Sequence, residues 1–288
     1  MNTAVKLSAF TLGMAAVFGV SLGAGRALGP DLSEQPDRHV QSSPAAHGDH
    51  GPPETAGPSE NRSEKPEKVA VSRAQAPDGH FAFLVTGEDG KPVTEYDVQH
   101  DKKMHLIVVR KDLSGFRHVH PELREDGAWE VGSPMEEPGD YRAFADFKPA
   151  GGDARVLTLD VNVPGSATTR PLPAPSDVAE VDGYTVTLDG TVASGGTSEL
   201  TMKISKDGRP VTDLQPYLGA YGHLVALRKD DLGYLHVHPE GAPGDGETAP
   251  GPEITFFVEA PSGGEHRLYL DFQHDGQVHT AEFTVHVH

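Results

Sequence analysis

The sequence predicts an all-β fold built as two tandem antiparallel sandwiches, and three observations carry that prediction. First, one histidine-bearing passage is written twice. The stretch from His105 through Leu106-Ile107-Val108-Val109-Arg110-Lys111-Asp112 to His118-Val119-His120-Pro121-Glu122 returns from His223 through Leu224-Val225-Ala226-Leu227-Arg228-Lys229-Asp230 to His236-Val237-His238-Pro239-Glu240, at a constant offset of 118 residues. The register reaches back without a gap through Asp89-Gly90-Lys91-Pro92-Val93-Thr94 and Asp207-Gly208-Arg209-Pro210-Val211-Thr212, which implies two copies of one domain. Second, short alternating runs such as Phe81-Ala82-Phe83-Leu84-Val85 and Leu157-Thr158-Leu159-Asp160-Val161 are separated by turn signals such as Glu88-Asp89-Gly90-Lys91-Pro92 and Pro138-Gly139-Asp140. Third, no stretch beyond the N-terminal segment has a helical period. Roughly seven short strands in about 100 residues suit an immunoglobulin-like sandwich, with a small closed barrel as the other candidate.

The elements follow in order. Residues 1–30 are read as a signal-anchor or signal peptide. Leu7 to Ala24 are apolar or small and would form a helix, with Lys6 before them and Asp31, Glu34 and Asp37 after. That polarity leaves the N-terminus in the cytoplasm and exports the rest. Arg26 spoils the small-x-small pattern of Gly25-Arg26-Ala27, which favours an uncleaved anchor. The chain is therefore expected on the outer side of the cytoplasmic membrane, or secreted if the segment is cleaved. Residues 31–66 are rich in Pro, Ser, Glu and His and poor in large apolar residues, as in a disordered linker; His39, His47 and His50 are spacer residues within it. The first sandwich is placed at 67–164, a semi-rigid Pro-rich connector at 165–178 and the second sandwich at 179–288.

Composition removes several classes of function. With 43 acidic against 24 basic side chains the formal charge is −19, which disfavours nucleic acid as a partner. Cysteine is absent, so disulfides, thiolate metal sites, iron–sulfur clusters and thiol nucleophiles are excluded together. There is no Gly-x-Ser-x-Gly elbow, no His-Glu-x-x-His helix and no phosphate-binding glycine loop, so no enzyme is expected. A metal, if held, must be held by nitrogen and oxygen.

The repeated passage has the pattern to do that. Arg110 to Phe116 contains the residues that reverse a chain, so the strand of His105 and the strand of His118-Val119-His120 should form a hairpin. Side chains alternate along a strand, so His118 and His120 share one face, with Cβ atoms roughly 6 to 7 Å apart, within reach of one divalent ion. His105 is the expected third ligand and Asp146 the oxygen ligand. The equivalent second set is His223, His236, His238 and Asp271. Three nitrogens and a carboxylate suit Cu(II) or Zn(II). His100 in the first domain, and His274 and His279 in the second, are additional candidates. The same histidines equally suit a structural role in which imidazoles bond backbone carbonyls at a strand end, and both readings stay open.

At these residues the chain resembles exported, actinobacterial-type His-x-His-Pro β-sandwich proteins and, more loosely, the YtkA-like and CopC-like domains associated with heavy metals. The resemblance spans about residues 67 to 288. It implies an extracytoplasmic metal-binding module that sequesters or hands on Cu(II) or Zn(II), tethered to the membrane through the N-terminal segment. The alternative is a structural or interaction protein of two immunoglobulin-like domains whose histidines stabilise a hairpin.

Overall fold

The computed structural model describes residues 69–288, apart from the side chain of His236. The expected N-terminal helix, the linker and its three histidines lie outside the described residues. Among the described residues every regular element is a strand, and no helix is long and apolar enough to cross a membrane.

The first repeat contains β1 (Ala70–Arg73), β2 (His80–Thr86), β3 (Tyr96–Asp97), β4 (Met104–Arg110), β5 (Arg117–Val119), β6 (Glu122–Leu123), β7 (Ala128–Gly132), β8 (Gly139–Pro149) and β9 (Arg155–Val163). The second contains β10 (Val178–Val181), β11 (Tyr184–Asp189), β12 (Thr197–Lys206), β13 (Arg209–Pro210), β14 (Gly222–Arg228), β15 (Tyr234–Pro239), β16 (Glu253–Glu259), β17 (Gly264–His274) and β18 (Gln277–Val287). Neighbouring strands pair antiparallel throughout.

In the first repeat one sheet runs β1-β2-β7-β6 and the other β3-β8-β4-β5, with β9 on β8. Phe81, Phe83, Val85 and Trp129 from the first sheet meet Met104, Leu106, Val108, Ala145 and Phe147 from the second in one core, so the repeat is a β-sandwich. The second repeat encloses its own core, in which Tyr184, Leu200, Met202 and Phe256 meet Ala226, Leu268, Leu270 and Phe283.

The repeated histidine motif sits where the chain changes sheets. β15 pairs with β14 through Tyr234 and Leu235 and with β16 through His236 to Pro239, so this single strand joins both layers. In the first repeat the same passage is cut in two: β5 pairs with β4, β6 pairs with β7, and His120 and Pro121 fall between. Proline has no N–H to give a ladder, which favours such a corner.

The two sandwiches are joined by a third core. Along β4, Met104, Leu106 and Val108 point into the first sandwich, whereas Ile107 and Val109 point out of it. Along β14, Leu224 and Ala226 point into the second sandwich, and Val225 and Leu227 point out. The outward residues meet, together with Leu113, Phe116, Phe144, Leu232 and Tyr269. Phe116 stacks on Tyr269 with ring centroids 4.0 Å apart, and the Tyr269 hydroxyl donates to the Leu113 carbonyl at 2.7 Å. Burying each of these large side chains is worth about 1.5–3 kcal/mol, so the repeats are welded along this face. The connector is laid against them: Leu172 packs on the shared core, and the buried Arg110 donates to the Thr168 carbonyl at 2.9 Å.

Candidate metal centre

The geometry of the site follows from strand alternation. His105 shares the outward face of β4 with Ile107 and Val109. His118 is the direct cross-strand partner of Ile107, so it stands on that same face, and His120 follows two residues later. The three rings converge, with centroids 5.3 Å apart for His105–His118, 5.0 Å for His105–His120 and 5.0 Å for His118–His120. One ring nitrogen from each lies within 4.8 Å of the others.

Hydrogen bonds on the far sides of the His105 and His118 rings decide which of their nitrogens face inward. His105 Nε2 lies 3.0 Å from the Gln99 carbonyl, which can only accept, so Nε2 carries the proton and Nδ1 is bare. His118 Nδ1 lies 2.9 Å from an oxygen of Asp271, a carboxylate that is only 2 % exposed, so Nδ1 donates and Nε2 is bare. The two bare nitrogens then face each other at 3.1 Å. Two lone pairs at that distance repel unless a proton or a cation sits between them. Two nitrogens bound to a tetrahedral ion at about 2.0–2.1 Å stand about 3.3 Å apart, close to what is found. His120 Nε2 is buried without a hydrogen-bond partner. A shared proton satisfies two nitrogens, whereas an ion satisfies three.

Electrostatics keep these rings in the ligating form. Burial lowers His105 to about 3, with the neighbouring imidazoles adding to the effect and the bond to Gln99 opposing it. Burial also lowers His120 to about 3, with His118, His105 and Lys102 contributing. Both are neutral near pH 7, as a metal ligand must be. The carboxylate on His118 Nδ1 is the arrangement that orients a ligating imidazole and raises its basicity.

The second repeat reaches into this cluster. His223, on the outward face of β14, has its ring 6.2 Å from His105, 6.1 Å from His118 and 5.1 Å from His100. Its Nε2 donates to the Leu218 carbonyl at 3.0 Å, and burial lowers its pKa to about 4. Tyr217 stands 6.3 Å from both His120 and His223, and burial followed by the Asp271 charge pushes its phenol up to about 12. A cleft of 630 Å³ runs alongside, lined by His100, His105, His118, Asp146, His223 and His238 among others.

The placement of Asp271 differs from the sequence-based expectation. Asp146 was expected to complete the set of His105, His118 and His120, and Asp271 the set of His223, His236 and His238. Asp146 lies opposite His105 in the β4–β8 pair and Asp271 opposite His223 in the β14–β17 pair, but Asp271 bonds His118 of the other repeat. The reason is the face-to-face packing of the repeats, which brings β17 over β5. His236 is on β15 and its side chain lies outside the described residues; His238 is on the same strand and lines the cleft. His274 and His279 are elsewhere, around Tyr184. His274 Nδ1 lies 2.7 Å from the Tyr184 hydroxyl and its Nε2 3.1 Å from Asp213, while His279 Nδ1 donates to Asp182 at 2.8 Å.

Sequence reasoning missed the supports: the Gln99 and Leu218 carbonyls, Tyr217, and Thr280, which donates to Asp271 at 2.6 Å. The carbonyls come from equivalent tight turns, in which Gln99 pairs with Lys102 and Tyr217 with Ala220. The central residues have positive φ, 47° and 63° at His100 and Asp101, 54° and 75° at Leu218 and Gly219. The Leu218-Gly219 pair was a readable turn signal; His100-Asp101 was not, because neither residue is glycine.

Comparison with known proteins adds the family. No curated protein matches the chain. Among solved structures it is similar to the S-layer protein rSbsC (11% identity, 77% of this chain and 28% of that chain covered, TM-score 0.24), to the FN1-FN3 domains of chicken CNTN1 (14%, 77% and 66%, 0.23) and to the adhesin InvE of Yersinia pseudotuberculosis (12%, 76% and 58%, 0.22). The chain spans less than two thirds of the length of each, and TM-scores of this size fall well below those of a shared fold. A family profile described as a domain of unknown function, DUF8832, matches residues 68–165 and again residues 179–288. Matched once per repeat over most of its length, the chain belongs to the DUF8832 family.

Proposed function

We propose that this protein is an exported metal-binding module that holds Cu(II) or Zn(II) for sequestration or handover, with His105, His118 and His120 as its ligands. The observation that carries the reading is the inward face of the cluster. His105 Nδ1 and His118 Nε2 approach to 3.1 Å with their outer nitrogens already bonded, and His120 Nε2 is buried without a partner. A borderline divalent ion is what neutral imidazoles without thiolates select. The resemblance of the His-x-His-Pro passage to exported heavy-metal-associated domains, and the apolar N-terminal segment, support a position outside the cytoplasmic membrane, either tethered or secreted. Each sandwich is read as immunoglobulin-like.

The test is metal titration of the full chain by calorimetry, with metal content checked by mass spectrometry. Tight binding of Cu(II) or Zn(II) is expected, and its loss in a His105→Ala, His118→Ala, His120→Ala variant. Binding unchanged in that variant would sink the proposal. The structural alternative draws on the bonds from His105 and His223 to backbone carbonyls. It expects the variant to lose stability equally with and without a strong chelator.

A further inference from the structure

Resting on that reading, we infer that the centre is built between the repeats: His223 supplies a fourth nitrogen to the ion held by His105, His118 and His120, Asp271 and Thr280 position His118, and one ion clamps both halves of the chain. The sequence gives each repeat its own set. The packing does not keep them separate.

Three observations support this. First, His223 stands on the face of β14 that carries Val225 and Leu227 into the shared core, opposite the face of β4 that carries His105, Ile107 and Val109. Both strands are buried on both faces, so His223 looks toward the first repeat's cluster. Second, the His223 Nε2–H is committed to the Leu218 carbonyl at 3.0 Å, leaving Nδ1 bare. This is the same device that leaves His105 Nδ1 bare. Rings sharing one ion have centroids about 5 Å apart at a tetrahedral angle and about 6.3 Å apart when opposite each other, given nitrogen bonds of about 2.0–2.1 Å. The separations of 6.2 and 6.1 Å to His105 and His118 exceed the tetrahedral value by about an ångström, so His223 stands just outside the cluster and joins the ion by a shift of that size.

Third, the first repeat's ligand is already held from the second. Asp271 accepts from His118 Nδ1 at 2.9 Å and from the Thr280 hydroxyl at 2.6 Å, so a chain of bonds runs from β18 through β17 to β5. The ion class is fixed by the donors: four neutral nitrogens with a carboxylate behind one of them suit Zn(II) or Cu(II). With Nε2 committed, His223 offers one bare nitrogen and serves one ion. Given to the first repeat's cluster, it leaves the second repeat with His236 and His238 and no third histidine of its own set.

The experiment uses the full chain with Cu(II), Zn(II) and Co(II) as probes. Wild type is expected to take one tight ion per chain, with Cu(II) spin resonance showing four nitrogens and Co(II) an intense four-coordinate visible spectrum. His223→Gln, whose amide can still donate to Leu218, is expected to keep the ion with three nitrogens and at least tenfold weaker affinity. Should His223→Gln fail to fold by circular dichroism, Asp271→Asn carries the test, with an expected loss of about 10- to 100-fold. Two tight ions per chain overturn the inference, as does a folded His223→Gln protein, or Asp271→Asn where His223→Gln does not fold, with unchanged affinity and spectra. In those cases the metal reading stands as long as the triple alanine variant loses its ion. A wild type that takes no ion overturns both.

Discussion

The two repeats share a sequence register, yet their leading histidines, His105 and His223, stand in different surroundings. In the first, three imidazoles converge, and the sheet-changing passage is broken between Val119 and Glu122. In the second, the corresponding passage is one continuous strand, and the leading histidine turns toward the first repeat's cluster. The tight turns at 99–102 and 217–220 both present a carbonyl to the Nε2 of a histidine, from the first turn position at Gln99 and from the second at Leu218. Contact across the shared core adds what the register does not contain: Asp271 crosses to His118. Duplication copies strands and turns, whereas packing assigns the partners.

The largest effect that tests this contrast is removal of the first cluster. Titration of the His105→Ala, His118→Ala, His120→Ala protein should show a loss of tight binding of at least a thousandfold, on the order of 4 kcal/mol. A loss below tenfold would move the centre to the second repeat.

Next comes the weld itself. Phe116→Ala removes the ring stacked on Tyr269 and should cost about 3–5 kcal/mol in urea unfolding. If the repeats behave as separate units, the loss will stay below about 1 kcal/mol and the transition will split in two.

A third comparison sets the carboxylates against each other. Asp271→Asn should weaken the ion by about 10- to 100-fold, and Asp146→Asn by less than about threefold, in parallel titrations. The reverse order would restore a set contained in the first repeat.

The smallest effect per residue is on acid stability of the chelated protein. His105, His120 and His223 are held neutral when folded, with pKa values lowered to about 3, 3 and 4, but take up protons near 6.5 when unfolded. Above pH 6.5 they contribute no pH dependence. Below it the unfolded chain binds protons that the folded chain refuses, so stability falls as pH falls toward the folded values. Between pH 6.5 and 5.5 the loss is on the order of 1 kcal/mol per imidazole, read as a drop in thermal midpoint. A flat profile would show that these rings are open to water.

Much of this was legible in particular residues. Alternation in Phe81 to Val85 and in Leu157 to Val161, with the turns between them, located strands; the turn residues of Arg110 to Phe116 located the β4–β5 pairing; the spacing of His118 and His120 put both rings on one face. Metal ligation and backbone bonding do not exclude each other in this protein. His105 has two nitrogens and uses one for a carbonyl and the other for the cluster. The shared core also has a signal in the sequence. Leu106-Ile107-Val108-Val109 and Leu224-Val225-Ala226-Leu227 are continuously apolar rather than alternating, which marks strands buried on both faces.

The sequence by itself determined the duplication, the antiparallel β architecture and the histidine spacing, because turn chemistry and side-chain alternation act over a few residues. Tertiary structure alone decided which carboxylate meets which imidazole. Asp271 and His118 are 153 residues apart, and no local rule links them. They meet because two strands with apolar outer faces had to bury those faces against each other, and the polar groups at the end of that face were carried into contact.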